Sequence, residues 1–342
     1  MNIPTLMTKI AALTGHPIPV SSHAAPFDAT DSTVVPADAA KQVAPGRRGI
    51  RTVRNLEFAK VAGPDGAPLA LRMDLLIPAG DGLHPLVISV PGGGFIHAVK
   101  AGAGTIRRHL AQGGYVVASI EYRTTKHGAT FVDGISDVKA AVRYLRAHAA
   151  EFGIDPGRVA LWGESAGGYL ASMAGLTAGD PRFESGSDAD QSSDVQAVVN
   201  KFGGSDLTLL AAGFDEPTRA ANTGPRIPLT RWVLGANPAG LALEDAPEAV
   251  RDADPASYAT SAAPPFLLFH GSDDRIVSPV QTAHLHAALR AAGADSTRYL
   301  IRGAGHGEIA VTSGEEKFWT TEPILGIATD FLDRVLAPSI AR

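Results

Sequence analysis

The chain has 342 residues, 45% of them hydrophobic, with a formal net charge of −5 and no cysteine. That length suits one large α/β domain or two smaller ones with a sizeable buried core. The missing cysteines exclude disulfides, thiolate catalysis and Cys-ligated zinc, and with no Lys/Arg block neither nucleic acid nor an anionic membrane surface is expected as a partner. In chain order, Lys9 precedes only a short apolar run, Ile10-Ala11-Ala12-Leu13, before Thr14, Gly15, His16 and Pro17 break it. This is shorter than a secretory core, and no later stretch approaches a spanning helix. The expectation is a soluble, cytoplasmic protein with no integral membrane segment.

Residues 1–48 are rich in Ala, Pro, Ser, Thr and Asp and lack a period, so they read as an extended N-terminal arm. Regular structure is expected to begin near Ile50. Residues 51–58 alternate as a half-exposed strand does, Gly63-Pro64-Asp65-Gly66 signals a turn, and residues 69–77 return as a second strand. From residue 85 the rhythm becomes strand, helix, strand, helix. Residues 86–90 and 115–120 are continuous apolar runs, as expected for strands covered on both faces. Residues 137–152 carry apolar groups at helical spacing. Asp155-Pro156-Gly157 reads as a turn into the next strand, which leads to Ser165. Residues 195–199 and 265–269 read as further strands. Ser278-Pro279-Val280-Gln281 has the form of a capping box opening a helix. A last strand over 297–301 and a closing helix over 324–335 complete the pattern.

Alternating strands and helices imply one mostly parallel, doubly covered sheet, with the opening hairpin as an antiparallel edge. Residues 49–342 form the expected catalytic unit. Residues 204–262 interrupt its rhythm and read as a small cap or lid insertion over the C-terminal edge of the sheet.

Chemistry concentrates at four strand ends. Gly163-Glu164-Ser165-Ala166-Gly167 is a G-x-S-x-G between an apolar strand and a helix, the pattern of a nucleophile elbow. The turn is tight, so its flanking positions must be small. A serine hydroxyl attacks only with an adjacent base. His306, in Gly303-Ala304-Gly305-His306-Gly307, is the candidate base. Asp274, in the loop after residues 265–269, is the candidate carboxylate that orients it. The order Ser, Asp, His is that of α/β-hydrolases. Pro91-Gly92-Gly93-Gly94-Phe95 follows an early strand. The backbone N–H groups of Gly93, Gly94 and Ala166 are the candidate oxyanion donors. Phe95, Tyr169, Phe202 and Trp232 are candidate pocket residues.

Through these motifs the chain resembles α/β-hydrolase esterases from about residue 50 to 337. The likeness is to the hormone-sensitive-lipase-like branch and to bacterial feruloyl- and acetyl-esterases. It extends to Glu121-Tyr122-Arg123, Gly153-Ile154-Asp155-Pro156 and Asp254-Pro255-Ala256-Ser257-Tyr258. The resemblance implies a cofactor-free serine carboxylesterase acting on carboxylic esters. No metal is expected, the expected partner is a small-molecule ester, and a homo-oligomer is left open. It also favours Asp274 over Asp273, because Asp274 stands four residues after His270 and three before Val277. An amidase, formamidase or peptidase would use the same triad, and a non-catalytic binding protein on this fold is the remaining alternative. One position departs from the family. Pro91 stands where a histidine usually braces the oxyanion loop, so another group must hold that loop here.

Overall fold

The computed structural model describes residues 18–38, 41–237, 239–307 and 315–338. Its strands are β1 (Thr33–Pro36), β2 (Ile50–Ala62), β3 (Pro68–Pro78), β4 (His84–Val90), β5 (Val116–Ile120), β6 (Ile154–Glu164), β7 (Ala197–Lys201), β8 (Phe266–Gly271) and β9 (Ser296–Arg302). They form one sheet in the order β1-β9-β8-β7-β6-β4-β5-β3-β2. β3 runs antiparallel to both β2 and β5, and the other pairings are parallel.

The apolar runs explain this arrangement. In β4, Leu86, Ile88 and Val90 enter one core, while Val87 enters a second core on the opposite face. β6 divides in the same way, with Leu161 on the first face and Ala160 and Trp162 on the second. Burying one such aliphatic side chain contributes about 1.5–3 kcal/mol, so strands with two apolar faces belong in the middle of the sheet. Helices α1 (Gly104–Gly113) and α9 (Glu322–Val335) cover the second face. Helices α2 (Phe131–Ala147), α3 (Ala149–Phe152), α4 (Ala166–Leu176) and α8 (Val280–Ala291) cover the first. The short helices α5 (Glu216–Ala221), α6 (Pro228–Leu234) and α7 (Pro247–Asp252) lie in the 204–262 segment. Leu207, Leu229, Trp232 and Leu243 of that segment join the first core.

Four expectations need correction. Regular structure begins before Ile50, because Thr33–Pro36 pairs in parallel with β9 and forms one edge of the sheet. Helix α2 starts at Phe131, six residues earlier than read. Its start is a Thr130/Asp133 capping box, in which the Asp133 carboxylate accepts from Thr130 N at 2.9 Å. Asp155-Pro156-Gly157 lies within β6, and its register against β4 shifts between His84 and Leu86. The capping box at Ser278 does not form. Gln281 is fully buried, accepts from Ser205 N at 2.5 Å and donates to the Asp206 carbonyl at 2.7 Å, so its side chain ties the helix to the 204–262 segment.

Candidate active site

The parallel strands β4, β6, β8 and β9 all deliver the loops of this site from their C-terminal ends. β6 ends at Glu164 and α4 begins at Ala166, which leaves Ser165 alone at the turn with φ +54° and ψ −122°. That left-handed backbone is strained for a residue with a Cβ. Close packing enforces the turn. A Cβ at Gly163 would stand 2.0 Å from the Gly167 carbonyl oxygen, and one at Gly167 would stand 2.0 Å from the Val90 oxygen. Ser165 N donates to the Lys201 carbonyl at 2.9 Å, and Tyr169 N donates to the Ser165 carbonyl at 3.1 Å.

Ser165 Oγ lies 2.9 Å from His306 Nε2, and His306 Nδ1 lies 2.7 Å from Asp274 Oδ2. His306 is 3% exposed and Asp274 is fully buried, so both polar groups depend on these contacts. The other carboxylate oxygen of Asp274, Oδ1, accepts from Ile276 N at 2.9 Å and Val277 N at 3.0 Å. Burial of Asp274 opposes ionisation. The charge of His306, then hydrogen bonds from His270 and His306, outweigh it and hold the carboxyl below the usual carboxylate range. Phe202 packs its ring 4.6 Å from the His306 ring and 5.0 Å from that of Trp319. Trp319 Nε1 donates to the Gly305 carbonyl at 3.2 Å, which supports the histidine loop from behind.

The glycine loop after β4 lies beside the elbow. A Cβ on Gly92 would approach Ser165 Cβ to 3.1 Å. Gly93 has φ +147°, and a Cβ there would stand 2.2 Å from the His97 carbonyl oxygen, so no larger residue fits. The groups that hold this loop follow β5. Tyr122 Oη donates to the Pro91 carbonyl at 2.8 Å. Thr124 Oγ1 donates to the Ile96 carbonyl at 3.0 Å, and Thr125 donates to the Phe95 carbonyl from both N and Oγ1 at 2.9 Å. Burial pushes the Tyr122 phenol up, so it remains a neutral donor. Arg123, next in sequence, is anchored to Asp137 of α2, with Nη2 donating to Oδ1 at 2.8 Å.

Ser165 and His306 open on a cavity of about 1010 Å³. Phe95 and Phe202 stand in its wall. Tyr169 and Trp232 do not, which corrects their reading as pocket residues. Both are fully buried behind Phe95. Trp232 stacks on that ring at 4.8 Å, and Tyr169 meets it edge-on at 5.4 Å. The Tyr169 hydroxyl donates to the Ala253 carbonyl at 2.7 Å, so its polar end is turned away from the cavity.

The N-terminal arm supplies part of the wall. Its residues Ile18, Pro19, Val20 and Ser22 line the cavity, although the arm carries no chemical motif. Ser22 N donates to Asp215 Oδ2 at 2.6 Å, Ser21 N donates to the Arg275 carbonyl at 2.9 Å, and Arg275 Nη1 donates to the Ser22 carbonyl at 3.1 Å. Hydrogen bonds from Ser22 and Thr218 hold the Asp215 carboxyl below its usual range. The short apolar run Ile10-Ala11-Ala12-Leu13 lies outside the described residues.

Among the described residues no cluster of three or more His, Cys, Asp or Glu side chains has the arrangement of a metal site, and no helix is long and apolar enough to cross a membrane.

The BD-FAE family matches residues 73–289, which span β4, the elbow and the Asp274 loop. The chain belongs to the BD-FAE family. Its relatives include esterase LipC of Mycobacterium tuberculosis, 35% identical over 225 residues, which are 65% of this chain and 53% of that protein. Isoprenylcysteine alpha-carbonyl methylesterase ICME of Arabidopsis thaliana is 31% identical over 241 residues, 70% of this chain and 54% of that protein. The chain thus spans about half the length of the curated relatives it matches. A truncated carbohydrate esterase from gut microbiota superposes with a TM-score of 0.69 at 25% identity, covering 86% of this chain and 99% of that one. Esterase 2 of Thermogutta terrifontis shares the fold, with a TM-score of 0.62 at 23% identity over 89% of this chain and 97% of that one. The BD-FAE match begins after the N-terminal arm and ends before His306.

Proposed function

We propose that this BD-FAE member is a serine carboxylesterase working through an acyl-enzyme. The observation that carries the reading is the unbroken contact from Ser165 Oγ through His306 to buried Asp274, facing a cavity. The esterase names of its relatives support the reaction class.

In the proposed sequence, Ser165 Oγ attacks the ester carbonyl carbon while His306 Nε2 takes the hydroxyl proton. Asp274 keeps the other imidazole proton on Nδ1 and stabilises the imidazolium. The carbonyl oxygen takes the negative charge and receives N–H donation from Gly93, Gly94 and Ala166, at the N-terminus of α4. The C–O bond to the alcohol breaks as Nε2–H protonates the leaving oxygen. Water then attacks the acyl-serine with His306 again as base, which returns the proton to Ser165 as the acid leaves.

The N-terminal arm is proposed to shape access rather than chemistry. Ile18 and Val20 narrow one side of the cavity, and the Ser21 and Ser22 contacts hold them there. The 204–262 segment, which also lines the cavity through Leu210 and Leu229, is proposed as the cap. Labelling with a fluorophosphonate tests the central assignment before any natural substrate is known, since the reagent reacts only with an activated serine.

A further inference from the structure

Behind Asp274 runs a buried polar chain that the proposed sequence of steps does not use. Arg298 of β9 donates from Nε to Thr282 Oγ1 at 3.0 Å, from Nη1 to Ser32 Oγ at 2.5 Å, and from Nη2 to the Pro279 carbonyl at 3.0 Å. Thr282 Oγ1 lies 2.9 Å from His270 Nδ1 and farther, at 3.4 Å, from the Pro279 oxygen. The Val277 carbonyl 3.0 Å from His270 Nε2 can only accept, so Nε2 carries the proton of the neutral ring and Nδ1 accepts from Thr282 Oγ1. His270 Nε2 donates to the Val277 carbonyl at 3.0 Å and stands 3.3 Å from Asp274 Oδ2, the same oxygen that faces His306 Nδ1.

We propose that His270 is a positioning residue for the Asp274–His306 pair. Its Nε2–H clamps the turn from Asp274 to Val277 and draws charge from the carboxylate oxygen that orients His306. This rests on the hydrolase reading of Ser165, His306 and Asp274. The chemistry follows from the geometry. Val277 N holds one carboxylate oxygen and Val277 C=O is held by His270, so the imidazole fixes the plane of the carboxylate through the backbone. The N–H dipole close to Oδ2 also weakens the hold of that oxygen on an imidazolium at His306. The ring is fully buried, and burial pushes its protonation down, which keeps it neutral. The titratable or charged groups acting on it are Asp274, which His306 meets in turn, and Arg298. Arg298 is itself pushed down by burial to about 10, and it keeps its charge at neutral pH.

The test is a pH titration of the His306 ring signals by NMR in the full chain, run beside the pH profile of kcat/KM. It compares wild type, His270→Leu, His270→Gln and Thr282→Val. In His270→Leu the ring titration and the acid limb of kcat/KM should both move up by about 0.5 pH or more, with kcat falling and KM little changed. Thr282→Val leaves the ring in place but removes the donor that polarises it, so it should move the same way by less. His270→Gln, whose amide N–H2 reaches the Nε2 position, should restore the wild-type midpoint. A midpoint unmoved in Thr282→Val and in any folded His270→Leu, with activity falling only in step with Tm, would overturn the proposal. The NMR midpoint decides this even if the wild-type chain hydrolyses no ester, an outcome that would sink the hydrolase reading instead.

Discussion

The Tyr122 hydroxyl donates to the Pro91 carbonyl at 2.8 Å and braces the glycine loop that follows. Pro91 has neither an N–H nor a polar side chain, so the brace acts through its carbonyl. Tyr122 is 1% exposed, and its hydroxyl has no water to fall back on. Tyr122→Phe should therefore loosen the oxyanion loop. A net hydrogen bond of about 1 kcal/mol corresponds to about a fivefold fall in kcat. KM should change less, because the loop serves the transition state. A kcat within error of wild type, measured on an activated ester, would show that Thr124 and Thr125 alone hold the loop.

Two adjacent carboxylates have different surroundings. Asp274 meets His306, while Asp273 Oδ1 accepts from Ser272 Oγ at 2.8 Å. Asp274→Asn should lower kcat by about 10³–10⁴, since the amide favours the wrong imidazole tautomer. Asp273→Asn should stay within about twofold of wild type, as a substitution outside the relay does. A larger loss from Asp273→Asn than from Asp274→Asn contradicts the assignment.

The arm contains two separable parts. Ile18, Pro19, Val20 and Ser22 line the cavity, whereas Ser32 and Thr33–Pro36 belong to the Arg298 contact and the edge of the sheet. A deletion to Gly49 would remove both parts, so the informative chain starts at His23. It should turn over an acetyl ester within about twofold of the full chain. Its KM for long or bulky esters should shift, because Ile18 and Val20 no longer narrow the cavity. A p-nitrophenyl ester series from acetate to decanoate with unchanged kinetics throughout would leave the arm without a role in access.

Much of this molecule was legible because its constraints are local. Strands with two apolar faces read as continuous runs, and the G-x-S-x-G turn at Ser165 admits only small neighbours. Each candidate triad residue sits in a loop directly after such a strand, and the three side chains stand in hydrogen-bond contact. What escaped depends on distant partners. Thr33–Pro36 has four residues and no period of its own, and it is a strand only because β9 offers an open edge. Gln281 matches a capping position, yet burial against Ser205 redirects it. Tyr169 and Trp232 are aromatics near the elbow, and only the position of Phe95 decides that they pack behind the cavity wall. The start of α2 is legible in the sequence, since Thr130 and Asp133 carry the capping spacing.

Ser165 is the assignment on which the account depends. The decisive measurement pairs fluorophosphonate labelling with turnover of an activated ester by purified wild-type and Ser165→Ala protein of equal Tm. Wild type should label once, at Ser165. The variant should neither label nor retain more than about 10⁻⁴ of wild-type kcat, as loss of a serine nucleophile entails. Retention of more than about a tenth of turnover, a barrier change of less than about 1.4 kcal/mol, would mean that another group attacks the ester.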